Sequence, residues 1–219
     1  MKIHAISDLH GFYPELPGGD LLIVGGDLTG RDTLDETDRF DYWLSHQSYK
    51  KTIFIAGNHD NLFSNEKPKK YMMGNKNIVV EKFEYLCNSG TEYEGLKIWG
   101  SPNSLLFHGV NPKCKAFMKT EQQLQQIYKE IPSDIDILIT HIPSYGILDK
   151  NAEGENCGSV TLRNMVLSRD RFPNLKLHCF GHLHEQGGDM FNTGFPQFVN
   201  CSHVNEHYEP VNNYIEIEL

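Results

Sequence analysis

Leu21-Leu22-Ile23-Val24-Gly25-Gly26-Asp27 decides how the rest of this sequence reads. Four consecutive aliphatic residues between polar or glycine positions predict a short strand buried on both faces. Two glycines then allow a sharp turn and a close backbone approach where a side chain would obstruct. A carboxylate follows at once, held at the rim of a sheet. Alone, Gly-Gly-Asp is a turn signal.

Working outward, the same grammar recurs four times. Ile3-His4-Ala5-Ile6-Ser7 runs into Asp8-Leu9-His10-Gly11, and Thr52-Ile53-Phe54-Ile55-Ala56 into Gly57-Asn58-His59-Asp60. Ile135–Thr140 delivers His141, and Leu175–Phe180 delivers Gly181-His182-Leu183-His184. Each apolar run ends in Asp, Asn or His, the residue types that hold hard and borderline metal ions. Groups placed just beyond the carboxyl ends of strands match the general position of sites in α/β sheets.

The chain has 219 residues, 39% hydrophobic and 22% charged, the balance of one α/β domain spanning residues 1–219. A net charge of -9 argues against an extended nucleic acid as partner. No apolar run reaches the roughly 20 residues of a membrane span. The N-terminus lacks a signal-peptide h-region, so the expectation is a cytoplasmic protein. The five cysteines, Cys87, Cys114, Cys157, Cys179 and Cys201, form no Cys-x-x-Cys pair and are expected as reduced thiols without a catalytic role.

Between these runs, Phe40, Trp43 and Leu44 predict a helix over Asp38–Tyr49. Thr120-Glu121-Gln122-Gln123 opens another with capping-box spacing, its stripe Leu124, Ile127 and Tyr128. Asn77–Lys82 and Leu96–Gly100 read as strands, with a turn at Asn88-Ser89-Gly90. Tyr214–Leu219 alternates as a half-exposed antiparallel strand. Lys67, Lys69, Lys70 and Lys76 make a basic loop that is either solvated or steers an anion. Gly25–Gly30 spaces two glycines like a P-loop, but Arg31-Asp32 replaces the Lys-Ser/Thr that such a loop needs.

Two adjacent divalent cations require about eight ligand positions and one bridging group that holds them roughly 3.5–4 Å apart. A carboxylate can bridge where imidazoles and amides cannot. Asp8, His10, Asp27, Asn58, His141, His182 and His184 supply the set, with Asp27 the natural bridge. Mixed carboxylate, amide and imidazole ligands suit Mn, Fe, Zn, Ni or Co better than Ca. A hydroxide activated by two such metals is a nucleophile at neutral pH.

Asp8-x-His10, Gly26-Asp27, Gly57-Asn58-His59-Asp60, His141 and Gly181-His182-x-His184 resemble, in order, the signature of calcineurin-like metallophosphoesterases. That resemblance implies a four-layer α/β/β/α sandwich of two mixed sheets flanked by helices. It also implies one metal on Asp8, His10, Asp27 and His184, and another on Asp27, Asn58, His141 and His182. His59 resembles the histidine that is not itself a ligand and that protonates the leaving oxygen or contacts the phosphate. Asp60 resembles the acidic neighbour closing that motif.

Trp99-Gly100-Ser101-Pro102, Ile139–Pro143, Gly181–Glu185 and Phe198-Val199-Asn200 resemble the small stand-alone group containing metallophosphoesterase-domain proteins and cyclic-nucleotide phosphodiesterases. The implied activity is hydrolysis of small phosphodiesters or nucleotides, with Asn58 and His59 contacting substrate. Asn103 and His108 are further candidates for the substrate cleft, with a surface loop the equal alternative. Gly30 departs from the Gly-Asp-x-x-Asp-Arg-Gly motif of Ser/Thr protein phosphatases. The alternatives are a phosphomonoesterase or protein phosphatase, a nuclease, and a non-catalytic metal-binding scaffold.

Overall fold

The structure, a computed structural model, describes residues 1–64, 82–107, 114–192 and 194–219. The lysines at 67, 69, 70 and 76, most of the strand expected over Asn77–Lys82, and His108 lie outside them.

The strands are β1 (Lys2–Ile6), β2 (Gly19–Gly25), β3 (Tyr49–Ile55), β4 (Phe83–Tyr85), β5 (Ser89–Tyr93), β6 (Leu96–Ser101) and the short β7 (Ser104–Leu105). They continue as β8 (Met118–Lys119), β9 (Ile137–Thr140), β10 (Leu177–Phe180), β11 (Met190–Asn192), β12 (Gln197–Asn200) and β13 (Ile215–Glu218). One sheet has the order β13-β1-β2-β3-β4 and the other β11-β12-β10-β9-β6-β5. Central pairs are parallel, whereas β13, β11 and β5 close the edges antiparallel, so both sheets are mixed.

Period-two alternation sorts the side chains into three apolar layers. Leu21 and Ile23 of β2 face inward, with Ile3, Ala5, Ile53 and Ile55, against Ile137, Ile139, Leu177 and Val199 of the second sheet. Leu22 and Val24 point the other way, onto Phe40, Trp43 and Leu44 of helix α1 (Leu34–Ser45). Leu138, Phe180 and Phe198 cover the far side of the second sheet, packed on helices α2 (Glu121–Tyr128) and α3 (Val160–Val166). Each fully buried aliphatic contributes roughly 1.5–3 kcal/mol relative to exposure. Helix, sheet, sheet and helix therefore stack as the resemblance implies. The expectation that β2 is buried on both faces holds, since its inward and outward residues meet different layers.

Several boundaries differ from the expectation. Helix α1 begins at Leu34, not Asp38, because Thr33 caps it and Glu36 returns the capping-box bond. Tyr49 belongs to β3 instead of the helix. Ser89 and Gly90 open β5 and do not turn, with Ser89 paired to Gly100 and Gly90 to Trp99. The hairpin instead turns at Glu94-Gly95, both with positive φ as a two-residue type I′ loop requires. Helix α2 starts as expected, with Thr120 accepting from the Gln123 N–H. The tail pairs antiparallel with β1, burying Ile215 and Ile217.

Candidate metal centre

Loops leaving the carboxyl ends of β1, β2, β3, β9 and β10 meet at one edge of the sandwich, laced by main-chain bonds. Asp8 N–H donates to Gly26 O at 2.9 Å, His10 N–H to Asp27 O at 3.0 Å, and Gly181 N–H to His141 O at 3.0 Å. A Ser7–Ser202 bridge ties the two sheets together at this edge. Asp8, His10, Asp27 and His182 all have positive φ, between 44° and 72°. For residues with a Cβ that conformation is disfavoured and is kept where surrounding structure enforces it. Gly26 makes the approach possible: its φ is 103°, and a Cβ there would lie 2.7 Å from Ala56 O and from His141 Nδ1.

Asp8, His10, Asp27, Asn58 and His141 are buried. His10 Nε2 lies 3.2 Å from His184 Nε2 and 3.6 Å from Asp27 Oδ2, and His184 Nε2 lies 3.3 Å from Asp8 Oδ1. Opposite them, His141 Nε2 lies 2.9 Å from Asn58 Oδ1 and 3.4 Å from Asp27 Oδ1. His182 places its ring 5.0 Å from that of His141, and its N–H donates to both oxygens of Asp8. Ligand atoms sharing an ion at about 2.1 Å lie about 3.0–3.4 Å apart, so these separations suit a cation at each end of Asp27. His141 Nδ1 donates to Gly25 O at 3.0 Å, so Nε2 is the nitrogen that faces two acceptor oxygens and takes either a proton or a cation. Acceptors that converge in this way need a proton or a cation between them. The residues present fit a pair of divalent ions. Asp8, His10 and His184 form one compact ligand cluster, and Asp8, Asp27 and His141 another.

Charge follows the same division. Burial opposes ionisation of Asp8, but His184 and His141 hold it well below the usual carboxylate range. Asp27 is likewise buried and held low, chiefly by His141 and His59. Burial also opposes charging His141, yet Asp27 raises it to about 9. His10 and His182 are pushed down to about 3 by burial, which keeps them neutral and fit to ligate.

His59 lies beside this set. Its N–H donates to Asp27 Oδ1 at 2.9 Å, and its Nε2 is 3.9 Å from Asp27 Oδ2. His10, Asp27 and His59 also cluster closely enough to share an ion. Its place outside the ligand set is thus implied by the resemblance and not by distance. Asp60 accepts from Leu28 N–H, Thr29 N–H, Thr29 Oγ1 and Gly57 N–H at 2.8–3.0 Å. It clasps the loop carrying Asp27 to the loop carrying Asn58. Burial and the nearby Asp27 push its carboxyl up to about 7. At Gly30 a Cβ would lie 2.7 Å from His10 O, so an aspartate has no room there.

A cleft of about 650 Å³ opens over the centre, lined in part by Asp27, Asn58, His59, His182 and His184. Asn103, a candidate for that cleft or for a surface loop, takes neither place. It is buried, with its amide donating to Asn88 Oδ1 and Ser101 Oγ. Three residues beside the centre gave no sign in the sequence reading. Ser202 Oγ donates to Asp8 Oδ2 at 2.8 Å, Cys114 Sγ lies 3.2 Å from His59 Nδ1, and Tyr208 packs its ring on His10 and His184. Nothing local in the sequence marks any of the three.

Comparison with known proteins gives the class directly: the model of the calcineurin-like phosphoesterase family matches residues 1–186, and the chain belongs to that family. It is 33% identical over 236 residues to human metallophosphoesterase domain-containing protein 1, covering 98% of this chain and 69% of that one. The mouse protein of the same name matches equally. A crystal structure of TT1561 from Thermus thermophilus has the same fold, with a TM-score of 0.63 at 15% identity, covering 91% of this chain and 88% of that one. Among the described residues no helix is long and apolar enough to cross a membrane.

Proposed function

We propose that this chain is a metal-dependent phosphodiesterase acting on small or cyclic nucleotides, with His59 as general acid. The observation that carries the reading is the convergence of acceptor atoms on both sides of Asp27, with His59 facing the same cleft. Asp8, His10, Asp27 and His184 would hold one divalent ion, and Asp27, Asn58, His141 and His182 the other. When bound, such ions supply a water acidified towards neutrality and positive charge opposite the phosphoryl oxygens. Of Mn, Fe, Zn, Ni and Co, the donor set singles out none.

The protein groups then divide the remaining work. Asn58 and His59 line the cleft where the phosphate must sit. Burial pushes the Cys114 thiol up to about 11, so it stays protonated. When the His59 ring carries both protons, Nδ1–H donates to Cys114 Sγ and the acid proton sits on Nε2, the nitrogen on the Asp27 side. From there it can pass to the departing oxygen, which a general acid does for roughly 10²–10⁴-fold in rate. Asp60 and Ser202 hold the Asp27 and Asp8 loops in register, and neither lines the cleft.

The steric exclusion of a side chain at Gly30 separates the site from the protein-phosphatase pattern and supports a diester reading. The test compares kcat/KM for bis-aryl and mono-aryl phosphates, then cyclic nucleotides and a phosphopeptide, with Mn added. A preference for the diesters is expected. A preference for the monoester or phosphopeptide overturns the diesterase reading, and no metal-dependent turnover on any of them favours the scaffold.

A further inference from the structure

Two large rings stand exposed at the cleft, one over each half of the centre. Tyr208, 47% exposed, packs its ring 4.8 Å from that of His10 and 5.2 Å from that of His184. Phe107, 42% exposed, lies 5.9 Å from the ring of His182, which itself lies edge-on to that of His141. Both line the cleft.

Tyr208 is held there at a cost. Its φ is 61°, unfavourable for a bulky residue. The 204–210 loop enforces it: Asn205 O accepts from Tyr208 N–H, and Asn205 Oδ1 accepts from the His207 and Glu209 N–H groups. Asn205 Nδ2 returns to Glu209 Oε2 at 2.9 Å, and Val204 bridges to Pro210. A ring fixed by its own loop and left half open is a preformed stacking surface.

The rim has a sign. Glu155, Glu185 and Glu206 line the cleft, and no Lys or Arg does so among the described residues. Cations held by the buried ligands would attract one phosphate, while the carboxylates oppose any second anionic group at the mouth.

We propose that the cleft takes a singly charged phosphodiester that bears, on the side away from its leaving group, one flat aromatic group of the kind a nucleobase provides. That group is seated at Phe107 and Tyr208, and Glu155, Glu185 and Glu206 reject esters carrying further negative charge. This rests on the diesterase reading and adds to it what lies beyond the phosphate. A dinucleotide or nucleic-acid strand, with a charge at every linkage, is disfavoured by the same rim.

The test uses the full chain with Mn and three p-nitrophenyl esters that share a leaving group: thymidine 5′-(p-nitrophenyl phosphate), its 3′-phosphorylated form, and methyl p-nitrophenyl phosphate. Wild type is expected to prefer the first. Tyr208→Leu and Phe107→Leu should each raise KM for it roughly 5- to 100-fold, the range for loss of a base stack, and raise it much less for the methyl ester. Tyr208→Phe keeps the ring and should keep the preference, which controls for folding. Replacing all three glutamates by Gln should narrow the gap between the first ester and its 3′-phosphorylated form, as should added salt in wild type. Equal turnover of methyl and thymidine esters by wild type, or equal losses on both in the Leu variants, overturns the inference while leaving the diesterase intact. Cleavage of p-nitrophenyl phosphate alone, with none of the three diesters touched, overturns the diesterase reading first and this inference with it.

Discussion

The two oxygens of Asp27 face different partners. Oδ1 meets His141 Nε2 at 3.4 Å and the His59 N–H at 2.9 Å, whereas Oδ2 meets His10 Nε2 at 3.6 Å. An amide at this position keeps one oxygen, loses the charge, and turns an N–H₂ donor towards an imidazole that must stay free to ligate. Asp27→Asn is therefore expected to empty both metal sites, and Asp8→Asn mainly the one shared with His10 and His184. Metal content of the purified variants decides it, and an Asp27 variant that keeps two tightly bound ions removes the bridge. His59→Ala makes the complementary case. It should retain its metals and lose roughly 10²–10⁴-fold in kcat, least for leaving groups that need no proton. Because His10, Asp27 and His59 also cluster, a His59 variant that loses metal would instead make that ring a ligand.

At the level of elements, the site depends on strand ends that come very close. A Cβ on Gly181 would lie 2.0 Å from Asp8 Oδ2 and 2.3 Å from Ser7 Oγ, so the turn after β10 occupies the space beside the β1 carboxylate. Gly181→Ala should displace Asp8, cost about 1–3 kcal/mol as overpacking, and lower metal affinity while leaving the far-UV spectrum unchanged. Urea unfolding together with metal content checks this, and a variant with wild-type metal affinity shows that the turn can yield. These strand ends were legible in the sequence because a period-two apolar run followed by Gly and a ligand type is a local pattern. Elements set by distant partners were less so. Ser89-Gly90 has turn composition, yet Gly90 lies in β5, where a Cβ would meet the Trp99 ring at 3.1 Å, so its smallness serves packing. The start of α1 lies ahead of the expected one because the apolar stripe marks a helix's buried face and not its first turn. Thr33 and Glu36 carried that information. Cys114 and Tyr208 reach the centre through contacts between residues well separated along the chain, which no local pattern reports.

Across the whole molecule, the sandwich buries imidazoles far from the metal edge as well as at it. His178 lies on the helix-facing side of β10, between Thr140 and the rings of Phe180 and Phe198. Thr140 Oγ1 donates to Ile142 O, so it accepts from His178 Nε2, and His178 Nδ1 has no hydrogen-bond partner among the described residues. Burial accordingly pushes His178 down to about 3. The sign follows from which state binds the proton. Between the unfolded value near 6.5 and about 3, the unfolded chain takes up a proton at this position and the folded chain does not. Stability is therefore lost as pH falls through that window, and this group changes nothing above it. His10 and His182, also about 3, act in the same direction in the metal-free chain. Replacing His178 by Leu removes one of these protons and leaves the Thr140–Ile142 bond in place. In metal-stripped protein, stability from urea unfolding should fall less steeply between pH 6 and pH 4 in His178→Leu than in wild type, by about 1.4 kcal/mol per pH unit. Working without metal separates this core effect from acid release of the ligands, which would otherwise dominate the same range. Parallel curves for the two proteins would mean that the fold opens locally to hydrate His178 before it unfolds.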